Sequence, residues 1–132
     1  MRHVLFGFCL LSVTACAGSP AGPTTSLNTE FTLAPADMMT IDGTSLTVRF
    51  DDVSADSRCP ANARCIHAGS ADVRITAQSD GSNRNYVLHT GDVEPVQHEG
   101  LTISLVQLMP YPFTSPKIPP EKYRATLKVT RR

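Results

Sequence analysis

Apolar and polar residues alternate one for one in six separate stretches of this chain. Leu46, Val48 and Phe50 share one face, with Thr47 and Arg49 on the other. Val73, Ile75 and Ala77 alternate with Arg74, Thr76 and Gln78. Leu101, Ile103 and Leu105 alternate with Thr102, Ser104 and Val106, and Tyr123, Ala125, Leu127 and Val129 with Arg124, Thr126, Lys128 and Thr130. Phe31 with Leu33, and Tyr86 with Leu88, are shorter cases. A period of two sends successive side chains to opposite faces of a strand. Each run therefore predicts a strand with one face in a core and one in water. Such half-polar strands pair antiparallel. Asp42-Gly43, Asp80-Gly81, Gly91-Asp92 and Glu99-Gly100 supply turns between the runs. No stretch holds a helical period and no segment repeats. The expected fold is all-β, a small antiparallel β-sandwich or barrel of six to seven strands.

Charge narrows the function. Twelve basic residues balance twelve acidic ones. Without a basic excess there is nothing to gather phosphates, so nucleic acid is not an expected partner. A length of 132 residues allows one domain with a small core, which gains from a cross-link.

The first sixteen residues read MRHVLFGFCLLSVTAC. A short positive start, an apolar run from Val4 to Val13 and two small residues make a secretory signal too short to span a bilayer. Val13-Thr14-Ala15-Cys16 resembles the lipobox of bacterial lipoproteins. That resemblance implies a signal peptide over 1–15 and acyl chains such as palmitate on Cys16. Two or three chains anchor a protein stably where one does not. Ala17 after the cysteine implies the outer membrane if the host has two. Ala17 to Asn28 is rich in Gly, Pro, Ser and Thr and predicts a flexible tether. The expected division is 1–15 signal peptide, 16–29 lipidated cysteine and tether, and 30–132 the β domain.

Cys59 and Cys65 are the two thiols left once Cys9 leaves with the leader and Cys16 takes lipid. In an oxidising compartment they predict a disulfide. Closing so short a loop stabilises by roughly 2 kcal/mol on the chain-entropy model. The alternative is a metal or redox site using Cys59, Cys65 and His67, with His89 or His98 as a fourth ligand. The five-residue spacing is not that of structural zinc sites. Asp56-Ser57-Arg58-Cys59-Pro60, then Cys65-Ile66, then Ala68-Gly69, resembles a motif of small bacterial lipoproteins without known function. Leu46 to Phe50, Leu108 to Pro112 and the closing run from Tyr123 to Val129 are similar to that family too. The resemblance covers most of residues 31–130 and implies no activity. His67 stands where it would imply a tryptophan.

Other residues carry weaker signals. Asp51, Asp52 and Asp56 could ligate calcium, but no calcium-loop spacing accompanies them, and one could simply pair with Arg58. No nucleophile elbow is present, and His67, His89 and His98 are read as exposed loop or strand-face residues. Met109-Pro110-Tyr111-Pro112-Phe113, followed by Pro116, Pro119 and Pro120, is a rigid, partly apolar connection. It either folds back over one end of the sandwich, the reading taken first, or presents Tyr111 and Phe113 to a partner. The expectation is a non-enzymatic, membrane-anchored envelope module without cofactor or metal, with a protein partner in the envelope. The alternatives are an inhibitor of an exported enzyme acting through the proline-rich connection, a metal or redox protein, and last a small hydrolase.

Overall fold

The computed structural model describes residues 22–91 and 94–132. The expected signal peptide and Cys16 lie outside the described residues. Among the described residues nine strands form two sheets. They are β1 (Thr24–Thr25), β2 (Glu30–Leu33), β3 (Met38–Ile41), β4 (Thr47–Asp56), β5 (Ala71–Ser79), β6 (Ser82–His89), β7 (Val96–His98), β8 (Leu101–Met109) and β9 (Arg124–Arg131). One sheet runs β1-β3-β4-β5-β6 and the other β2-β9-β8-β7. All neighbours are antiparallel except β1 and β3, which are parallel. A single 3₁₀ turn, Pro120–Lys122, precedes β9.

The all-β sandwich is as the alternation predicts. The inward faces named from sequence meet between the sheets. Val48, Phe50, Val73, Ile75 and Ala77 from one sheet pack against Leu33, Ile103, Ala125, Leu127 and Val129 from the other, all fully buried or nearly so. The outward faces carry cross-strand polar pairs such as Thr32 with Thr126 and Thr40 with Thr47.

The strand count differs from six to seven because β1, β3 and β7 are two to four residues long. Those three runs, unlike the equally short β2, show no usable alternation. The tether expectation also fails in its second half. Thr24 lies opposite Thr40, the Thr40 N–H donates to the Pro23 carbonyl, and the Asp42 N–H donates to the Thr25 carbonyl. The Asn28 N–H then bonds the Val129 carbonyl, while Leu27 packs on the core. Main-chain bonding docks this segment despite its composition.

Bulges re-aim two strands. The β8–β9 register shifts between Leu105 and Gln107, which leaves the exposed Val106 as the extra residue and brings Leu108 into the core. The β4–β5 register shifts twice, between Phe50 and Asp52 and again between Val53 and Ala55. These shifts let β4 run past the core and carry Asp56 to the end of the sandwich. There β4 meets the end of β8 and the start of β9. Those three termini form the frame for the site below.

One turn is built against the preference of its residue. Ala36 follows Pro35 in the β2–β3 turn with φ 73°, a left-handed conformation that strains any residue with a Cβ. Its N–H donates to the Phe50 carbonyl, which ties the turn to β4. Replacing Ala36 by glycine should remove that strain, less the entropy glycine gains on unfolding. The expected net gain is about 0.5–1 kcal/mol, read as a higher urea midpoint at unchanged slope. A lower midpoint would show that the turn carries no such strain.

Candidate functional site

Two connections crowd the end of the sandwich where β4 stops. One is the cysteine loop, residues 57–70, between β4 and β5. The other is the proline-rich connection, residues 110–123, between β8 and β9. Neither has a sheet to hold it. Arg58 supplies the hold.

The Arg58 side chain is 6 % exposed. Its Nε donates to Asp56 at 2.9 Å and one terminal nitrogen donates to the other Asp56 oxygen at 2.7 Å. The other terminal nitrogen donates to the Leu108 carbonyl at 2.8 Å, and a further contact reaches the Pro110 carbonyl at 3.0 Å. The guanidinium carbon lies 5.2 Å from the centre of the Tyr111 ring, a cation–π contact. Asp56 also accepts from the Tyr123 hydroxyl at 2.9 Å. One planar cation thus joins the end of β4, the end of β8, the proline-rich connection and, through Asp56, the residue just before β9. A lysine could not reproduce this fork.

The charges are mutually tuned. Burial alone would raise the Asp56 carboxyl. Hydrogen bonds from the Arg58 guanidinium, the Tyr123 hydroxyl and the Arg58 N–H outweigh it and leave the group below its ordinary 3.8. Burial first, then the hydrogen bond to the Asp56 carboxylate, push the Tyr123 phenol up to about 12. At neutral pH the pair is an ionised carboxylate and a neutral phenol.

The rest of the cysteine motif serves the same frame. Cys59 and Cys65 form the expected disulfide, with Cα atoms 5.9 Å apart. The sulfurs are bonded to each other and so are not placed as free metal ligands beside His67. The Ser57 hydroxyl donates to the Ser70 carbonyl and accepts from the Ser70 N–H, closing the neck of the loop. Gly69 has φ 66°, and a Cβ there would lie inside contact distance of the Ser57 carbonyl oxygen. Only glycine fits. Across the gap, the Ala61 N–H donates to the Pro112 carbonyl. The Asn62 amide donates to the Thr114 hydroxyl and its oxygen accepts the Thr114 N–H. The two connections are therefore one bonded unit.

That unit both covers and presents. Ile118 packs against the core, as the covering reading requires. Tyr111 and Phe113 are 53 % and 55 % exposed, and Ile66 at the tip of the cysteine loop is 97 % exposed. A groove of about 500 Å³ runs between Met109, Pro110, Tyr111, Phe113, Ile118 and Pro119. Lys117, Lys122 and Arg124 also border it. On the other side of Tyr111 a cleft of about 530 Å³ opens over Arg58, Gly69, Thr90 and Gln107.

The remaining sequence candidates lie apart from one another. Asp51 pairs with Arg49 and Thr76, Asp52 with Arg74, and Asp56 with Arg58, so an arginine takes each carboxylate. His67 is exposed on the cysteine loop, and His89 hydrogen-bonds Asp72 at 2.7 Å. His98 corrects the reading of the histidines as surface residues. It is buried at the opposite end of the sandwich, with Nε2 3.0 Å from the Ser79 hydroxyl and Nδ1 3.1 Å from the Tyr86 hydroxyl. Tyr86 donates to the Gln97 carbonyl and meets the His98 ring edge-on. This network fastens β7 to β5 and β6. It was invisible in the sequence because its three side chains come from three strands.

No family model matches the chain, nor does any curated protein or solved structure.

Removing one partner of a buried pair leaves an uncompensated charge. Arg58→Ala should lower unfolding free energy by about 3 kcal/mol. The acid response follows from Asp56. Its folded value lies below 3.8, so the ionised carboxylate stabilises the fold above that pH, and the contribution fades as pH falls further. Urea midpoints at neutral pH and near pH 3 should drop more for the native chain than for Asp56→Asn. Equal drops would assign acid sensitivity to another group.

Proposed function

We propose that this chain is a lipid-anchored envelope protein of the small lipoprotein kind its motif resembles, and that its β-sandwich is a binding module and not a catalyst. The observation that carries the binding reading is the fixed display of Tyr111 and Phe113. Large apolar side chains at the tip of an unsupported loop would collapse or move. Here the Arg58 fork, the Asn62–Thr114 pair and the prolines hold the backbone that bears them. Binding then costs little conformational entropy. Aromatic side chains in such a setting are the residue types that dominate recognition energetics.

The anchor rests on Val13-Thr14-Ala15-Cys16 and on the apolar run before it. Lipid at Cys16 leaves only a short stretch between the bilayer and the folded domain, because strand pairing begins at Thr24. The module therefore acts at the membrane surface. The outer membrane is the site in a two-membrane host.

The test is the Cys16→Ala chain expressed in a bacterial host and labelled with radioactive palmitate. The expected result is an unlabelled precursor of full length, against a shortened, labelled native chain in the membrane fraction. A Cys16→Ala chain that is cut and membrane-bound like the native one would overturn the anchor.

A further inference from the structure

We infer that the loop-bearing end of the sandwich docks onto an anionic lipid bilayer. Ile66, Tyr111 and Phe113 enter the interface, and Arg64, Lys117, Lys122 and Arg124 meet lipid phosphates. The inference rests on the proposed anchor at Cys16 and names what the binding surface binds.

Three independent observations converge on this end. The first is apolar exposure. Ile66 projects almost wholly into solvent from one loop, and Tyr111 and Phe113 stand half out of the other. These tips belong to a single bonded unit, since Asn62 and Ala61 hydrogen-bond across to Thr114 and Pro112. Aromatic rings flanked by basic side chains are the composition of a membrane-interface anchor.

The second is charge. The chain as a whole carries no net charge. Within the two loops and the residue that opens β9, however, Arg64, Lys117, Lys122 and Arg124 are exposed, against one exposed carboxylate, Glu121. Arg58 is neutralised by Asp56. None of the four exposed cations forms an ion pair among the described residues. Basic side chains held near a bilayer surface are drawn to anionic headgroups.

The third is where the chain enters the fold. β1 is parallel to β3 with Thr24 opposite Thr40, which sets Gly22 level with Met38. Met38 pairs with Arg49, and from there β4 runs on to Asp56 and the cysteine loop. β1 runs away from that end, so the chain preceding it arrives from the loop side. Leu33, Ala125 and Leu108 form one row across the second sheet, one step from where β8 ends and β9 begins. Gly22 lines one cavity with Thr32 and Leu33, so it lies beside the β2 end of that row. The six peptide units from Cys16 to Gly22 span at most about 20 Å. An acylated Cys16 holds the bilayer within that distance of Gly22, on the side where the apolar tips and the cations project. A protein partner would have to compete for this space.

The chain has no tryptophan, so Phe113→Trp places a single emitter at a half-exposed position on the loop. The exported Phe113→Trp chain, purified as the cell makes it, is mixed with vesicles of phosphatidylcholine alone or with added phosphatidylglycerol. Flotation reads attachment, and quenching by brominated acyl chains reads insertion. The expected result is flotation on both vesicles, a blue-shifted emission and at least about twofold stronger bromolipid quenching with the anionic lipid. Adding Lys117→Glu and Lys122→Glu should abolish the anionic increment and leave flotation intact. A chain that floats with solvent-like, iodide-accessible emission would overturn the docking and leave the anchor standing. Flotation on anionic vesicles alone, with quenching, would remove the anchor and keep the docking. Neither flotation nor quenching would remove both. An emission shift that needs added envelope proteins would assign this end to a protein partner and overturn the lipid surface.

Discussion

A guanidinium withdrawn from water needs acceptors for its donors, and Arg58 makes four such bonds, two of them to carbonyls that share no strand pairing with its own segment. One edge of its plane takes the Asp56 carboxylate, and the rest takes the carbonyls of Leu108 and Pro110. Those carbonyls sit where β8 leaves its sheet and would otherwise face an end of the sandwich with no ladder to satisfy them. The ion pair therefore does what a strand would do, joining one sheet to the other through side-chain bonds. Its stability contribution against an apolar substitute is modest in general. Its value here is geometric, because a planar fork fixes direction as well as distance.

The opposite end of the sandwich solves the same problem with hydroxyl groups around an imidazole. His98, Ser79 and Tyr86 close it with hydrogen bonds and no ion pair. The ionic closure holds loops that carry exposed apolar side chains. The hydroxyl–imidazole closure holds a three-residue strand and a tight two-residue turn in which Glu99 and Gly100 both take positive φ. That is the primed turn that suits a hairpin's twist. The two ends differ in chemistry as they differ in what they display.

Much of this was legible in the sequence, and the losses have definite causes. Alternation located β2, β4, β5, β6, β8 and β9 because each has one face in the core and one in water. It could not locate β1, β3 or β7, whose few residues are held by main-chain bonds that leave no mark on residue type. The same blindness made Pro23 to Asn28 look like free tether, since composition reports what side chains bury and is silent about backbone pairing. The bulge at Val106 was hidden because one extra residue changes the face without changing the pattern before it. At the candidate site, Tyr111, Phe113 and the cysteine pair stood out by type. Arg58 did not stand out as a keystone. Its acceptors on Leu108 and Pro110 lie fifty residues away and are carbonyls, which every residue has.

The docking of β1 fixes where a load enters the fold. A pull on the chain from its N-terminal side reaches β1 first, and the segment from Pro23 to Leu27 is held there by few main-chain bonds before the Asn28 clamp on β9. That segment lies extended along the line of such a pull, so peeling it from β3 adds little length. The pull instead shears the edge of one sheet and then, through Asn28, the edge strand's partner in the other, so tension is shared between the two sheets before it reaches the core.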